Sequence, residues 1–92
     1  MKRHGMIDWF ADRMQAKIEA RGYHGKLPQL HVTSEQWLQR LVMELGELAE
    51  ALLVGGDAAP DKEAIIDECA DVANFAMQIA DKAARERNKA QP

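Results

Sequence analysis

An all-α fold, specifically an antiparallel bundle of helices, is predicted by three features of this chain. Apolar residues recur at steps of three and four along three separate segments. No two-residue alternation, the mark of a half-buried strand, competes with them. Gly- and Pro-marked stretches divide the segments, and the short link between the second and third implies antiparallel neighbours.

The first segment runs from about Met6 to Arg21 and carries Ile7, Phe10, Met14 and Ile18 on one face. Gly22 is its natural stop, and RGYHGKLPQLHVT then reads as a loop because Gly25 and Pro28 break any apolar period. Thr33 or Ser34 can cap the second helix, with Gln36 placed three residues after Thr33 as in a capping box. Leu38, Leu41, Leu45, Leu48 and Leu52 form its apolar stripe, and the helix is expected to span about 34–54, where Gly55-Gly56 ends it. Asp57 is a candidate cap for the third helix and Pro60 suits its first turn. That helix, about 60–87, is Ala-rich; its length allows one bend, though no residue marks a breaker. The tail, 88–92, is expected to fray.

The 92 residues make one domain, 1–92. A chain this short buries only roughly 60–65% of its unfolded surface, so a second copy is the expected cover for the leftover apolar area. Hydrophobic content of 47% beside 29% charged residues fits a folded rather than a disordered chain. A net charge of −3 argues against binding a nucleic-acid polymer, but not against a nucleotide accompanied by divalent cations. Cys69 is alone and no Cys/His spacing suggests zinc, so a reducing cytoplasm is the expected location. Acids interrupt the basic start before any signal-like apolar run, and nothing approaches the roughly twenty apolar residues of a membrane span.

The chemistry concentrates in MELGELAE, residues 43–50, and DECADVAN, residues 67–74. Around the second helix Glu44 lies at the edge of the Leu stripe, Glu47 further round and Glu50 out in solvent. On the third, Ile65, Val72, Phe75, Ala76, Ile79 and Ala83 define an apolar face that contains Glu68, with Asp71 at its margin. Asp67, Asn74 and Asp81 fall on the opposite side. A buried, unpaired carboxylate costs several kcal/mol or takes up a proton. Antiparallel packing lets Glu44, Glu47, Glu68 and Asp71 meet at one level, where they repel unless a cation offsets them. All-carboxylate ligands suit a hard ion, Mg²⁺ or Mn²⁺. The bland alternative, a solvated acidic face, stays open on periodicity alone. A di-iron centre wants Glu-x-x-His, and the residues three after Glu44 and Glu68 are Glu47 and Asp71.

Several neighbours carry two readings each. Asn74 either contacts a phosphate or sugar or faces solvent. Lys62 and Arg40 are phosphate contacts, or a surface charge and a salt bridge respectively. Trp37 stacks a base or anchors the core, and Trp9 serves packing or an interface. His24 and His31 belong to a base pocket or are plain loop residues.

The two motifs, Glu44-Leu-Gly-Glu47 and Glu68-Cys-Ala-Asp71, sit within LVMELGELAEAL and DECADVANFAMQIAD. Order, spacing and surrounding words resemble the two core helices of the MazG-like, all-α nucleoside triphosphate pyrophosphohydrolase superfamily, over about half the chain. The resemblance implies a homodimeric or homotetrameric α-bundle that uses Mg²⁺ to hydrolyse a nucleoside triphosphate to the monophosphate and pyrophosphate. Glu44, Glu47, Glu68 and Asp71 then become metal ligands. Met43 departs from the pattern, since many members carry a further Glu there. Such a cleavage needs a water aimed at the α-phosphorus, and Glu47 is the chosen base for its proton. Asn74, Lys62 and Trp37 are the candidate substrate contacts. The absence of a Gly-rich Walker loop excludes an ordinary P-loop ATPase. The competing readings are a small dimeric helical interaction module without activity, and a purely structural metal site.

Overall fold

The first N–H groups of a helix lack partners within it, and each helix here starts where side chains supply them. In the computed structural model, which describes residues 3–22, 32–53 and 59–90, these helices are α1 (Gly5–Ala20), α2 (Ser34–Leu52) and α3 (Lys62–Ala90). No strand occurs among the described residues. His4 Nδ1 accepts from the Met6 N–H at 3.1 Å. Thr33 and Gln36 complete the expected capping box: the Gln36 N–H donates to Thr33 Oγ1 at 3.1 Å, and the Thr33 N–H to Gln36 Oε1 at 2.9 Å. Asp61 caps α3, its Oδ1 accepting from the Glu63 and Ala64 N–H groups at 3.0 and 3.3 Å. The cap is therefore Asp61 rather than Asp57, and Pro60 precedes it instead of entering the first turn. Asp57 and Gly55-Gly56 lie outside the described residues.

The helix ends differ from expectation by small amounts. Gly22, at φ 92°, takes the left-handed conformation that closes α1, and its N–H donates to the Glu19 carbonyl at 2.8 Å. Leu53 caps α2, one residue before the expected end. α3 runs unbroken to Ala90, so residues 88–90 are helical where fraying was expected. Arg87 and Lys89 in that last turn face the negative end of the helix dipole, which favours the extension.

Side-chain pairs fix the directions. Trp37, early in α2, meets Phe75 of α3 with ring centroids 5.9 Å apart, while Glu44, further along α2, meets Glu68 and Asp71. Ascending α2 thus descends α3: the two are antiparallel. On α1, Arg13 pairs with Glu63 and Asp67, Lys17 with Asp71, and Arg21 with Asp71 and the Phe75 ring. Both series ascend, so α1 and α3 are parallel. The path is up-down-up, but the bundle is open: α1 and α2 both pack on α3, and no Cα of one lies within 8 Å of the other.

The two contacts on α3 differ in chemistry. Against α2 the seam is Trp37, Leu41, Glu44, Leu48 and Ala51, at steps of four and three. Against α1 half-buried Phe10, Met14 and Ile18 are joined by a basic row, Arg13, Lys17 and Arg21, which faces the acidic row Glu63, Asp67 and Asp71. The side of α3 that holds Asp67 and Asn74 is consequently covered by α1.

The single Leu stripe expected on α2 divides in two. Leu41 and Leu48 turn inward, whereas Leu38, Leu45 and Leu52, with Val42, remain between 46% and 57% exposed. Only Val32, Trp37 and Ala70 are buried apolar residues among those described, and Asp71 is buried with them. The molecule is elongated, 59 × 34 × 25 Å, with a radius of gyration of 15.6 Å against about 12 Å for a compact chain of this length. No helix among the described residues is long and apolar enough to cross a membrane.

Candidate metal centre

Glu44 occupies an inward position of the α2 seam, so packing that buries Leu41 and Leu48 also carries its carboxylate against α3. Glu68 and Asp71, one turn apart on α3, meet it there. One carboxylate oxygen from each of Glu44, Glu68 and Asp71 lies within 4.8 Å of the others. An octahedral Mg²⁺ with bonds of about 2.1 Å holds adjacent oxygens about 3.0 Å apart and opposite ones about 4.2 Å, so the side chains of the trio must close by up to about 2 Å to share one ion.

Glu47 is not one of the trio. It is exposed, yet its carboxylate adjoins those of both Glu44 and Glu68. The Glu44 carboxyl is pushed up to about 7, by burial first, then by the charges of Glu47 and Asp71 and a hydrogen bond shared with Glu47, while Arg21 opposes the rise. Glu68 shifts the same way, again by burial first, then by Glu47 and Asp71, with Lys17 opposing.

Two cations from α1 answer part of this charge. Lys17 Nζ lies 3.4 Å from Asp71 Oδ2 and Arg21 Nη2 lies 3.3 Å from Asp71 Oδ1. Four carboxylates against two cations leave two negative charges when all are ionised, the charge that one divalent ion offsets. Oε2 of Glu44 and Oε2 of Glu68 are buried and have no hydrogen-bond donor. Two orphaned oxygens, an all-oxygen donor set and this residual charge fit a hard divalent cation. Protonation of Glu44 or Glu68 would also ease the crowding, the direction in which burial first and then Glu47 and Asp71 push both carboxyls.

The other candidates scatter. Trp37 is buried, packed on Phe75, with the Arg40 guanidinium 5.4 Å from its ring centroid; it anchors the core and offers no open face to a base. Arg40 thus stacks on an aromatic ring. Lys62 is exposed at the start of α3, about 9 Å along the axis from Glu68. Asn74 donates Nδ2–H to the Met14 carbonyl at 3.1 Å, tying α1 to α3, while its Oδ1 is buried without a partner. Met43 is 68% exposed, so the position that departs from the motif points away from the trio within this protomer. Trp9 is half exposed beside Phe10. His24 and His31 lie outside the described residues. Sequence reasoning missed Lys17 and Arg21; the signal was the basic row 13, 17, 21, whose spacing matches the acidic row 63, 67, 71. Compared with family models, with curated proteins and with solved structures, the chain matches none.

Proposed function

We propose that the protein is a Mg²⁺-dependent nucleotide pyrophosphohydrolase of the MazG-like kind, cleaving a (deoxy)nucleoside triphosphate to the monophosphate and pyrophosphate. The observation that carries this reading is the inward trio Glu44, Glu68 and Asp71 with two orphaned oxygens, on helices bearing the ExxE and ExxD motifs. Glu44, Glu68 and Asp71 would hold the ion, Mg²⁺ or Mn²⁺. When bound it polarises phosphate oxygens and lowers the pKa of a coordinated water. Glu47, beside the trio but open to solvent, would serve as the base for an attacking water. The working form is a homo-oligomer in the cytoplasm, and its task is the removal of surplus or damaged nucleotides.

The test is a panel of canonical and damaged nucleoside triphosphates incubated with purified protein and Mg²⁺. Monophosphate plus pyrophosphate is the expected product pair, and Glu68→Gln should lower kcat by roughly a hundredfold or more, through lost ion affinity and charge balance. Diphosphate plus orthophosphate, or no turnover of any nucleotide, overturns the reading. The exposed stripe Leu38, Val42, Leu45 and Leu52 favours a second reading, a helical interaction module whose acids are merely proton-sharing. That module predicts a melting temperature indifferent to Mg²⁺, whereas an ion that binds only the folded state raises it.

A further inference from the structure

We propose that Lys17 and Arg21 are the residues that bind the substrate's polyphosphate, and that they rest on Asp71 until it is needed elsewhere; the proposal depends on the trio being a metal centre. Each oxygen of Asp71 is taken by one α1 cation, Oδ2 by Lys17 at 3.4 Å and Oδ1 by Arg21 at 3.3 Å. A divalent ion held by the trio would draw on one of these oxygens, so ion and cations compete for one carboxylate. Both contacts are longer than the ~2.7–2.9 Å of a committed charge-assisted hydrogen bond. Asp71 is buried, but the side chains of Lys17 and Arg21 are 30% and 48% exposed, so each can leave by changing rotamer without moving α1.

Once displaced, the pair stands beside the centre with no acid of its own, where phosphate oxygens on the same ion lie. Arg21 presents a planar fork suited to two phosphate oxygens, and Phe75, 5.7 Å from the guanidinium carbon, orients it. Lys17 adds a point charge one turn away. Arg13 belongs to the same basic row but is engaged with Glu63 and Asp67, away from the trio, so it docks α1 without reaching the site. The ligand class is therefore a di- or triphosphate chain.

The distinguishing signature is two effects of opposite sign. Mn²⁺ binding to the full-length protein is followed by electron paramagnetic resonance, and inorganic pyrophosphate is then titrated calorimetrically at saturating Mn²⁺. Lys17→Gln and Arg21→Gln should each tighten Mn²⁺ binding by about threefold, because a partly exposed competing cation is gone. Each should weaken pyrophosphate binding by about tenfold, the scale of one charge-assisted contact. Arg21→Lys should return Mn²⁺ affinity to the parent value and recover only part of the pyrophosphate affinity, since charge is restored but not the fork. Arg13→Gln should change neither. Both affinities falling together, or Arg13→Gln reproducing the pattern, reduces the pair to helix docking and overturns the proposal. Parent protein that binds Mn²⁺ while the variants keep full pyrophosphate affinity, or that binds no pyrophosphate, overturns this proposal alone. Parent protein that binds no Mn²⁺ removes the metal centre and this proposal with it.

Discussion

In an ordinary setting the Glu44 carboxyl titrates near 4.5; between α2 and α3 burial, then Glu47 and Asp71, push it up to about 7. Between those values the folded chain holds a proton that the unfolded chain has released, so stability falls as pH rises. The contribution is complete below about 4.5 and lost through about 7, and Glu68 acts in the same sense. Without divalent ions the melting temperature should therefore decline from pH 4.5 to 7.5, and Glu44→Gln should flatten much of that decline. An equal slope in both proteins removes Glu44 as the cause. If the trio holds Mg²⁺ as proposed, ion and protons compete for the same oxygens, and Mg²⁺ should raise the melting temperature more at pH 8 than at pH 5.5. Glu68 was legible as the one acid inside an apolar face, because the helical period alone sets that position. Lys17 and Arg21 were legible only as part of a basic row spaced like the acidic row of α3, since a base on a half-exposed helix acquires meaning when the acid it meets is known.

Each helix start is a local event, and here local signals were informative: the Thr33–Gln36 box lies in the sequence and closes in the structure. Thr33→Ala removes the acceptor for the Gln36 N–H and should cost about 1 kcal/mol. For a domain of this size that lowers the melting temperature by roughly 4–8 °C, readable by circular dichroism. No change would mean that α2 is held wholly by its packing. What local signals left undecided was which side of α2 meets α3. Successive leucines of the stripe alternate between adjacent sides of the helix, and only the partner's shape separates inward Leu41 and Leu48 from outward Leu38, Leu45 and Leu52. Covering of Asn74 by α1 has no apolar signal in the sequence for a related reason. The α1–α3 contact is largely ionic, and apolar periodicity carries no record of it.

A compact monomer of this mass exposes about 5,400 Å², whereas this chain exposes 7177 Å². The difference, about 1,800 Å², includes surface of residues outside those described, and a standard interface takes ~800 Å² from each partner. The outward stripe Leu38, Val42, Leu45 and Leu52 supplies an apolar row at helical spacing, and in the proposed homo-oligomer an isologous pair of α2 helices would lay that row against itself. In such a pair folding and association would be one process, because a single chain buries few apolar residues among those described. The melting temperature should accordingly rise with protein concentration, and sedimentation should give at least a dimer at micromolar protein. Leu45→Glu places a charge in the middle of the row, where burial without a partner costs several kcal/mol. It should lower the melting temperature, abolish its concentration dependence and shift sedimentation to the monomer. Met6→Glu, at an exposed apolar residue on α1 rather than in this row, should do none of these. A concentration-independent, monomeric parent protein would place the open bundle's stability within one chain and leave the stripe to a different partner.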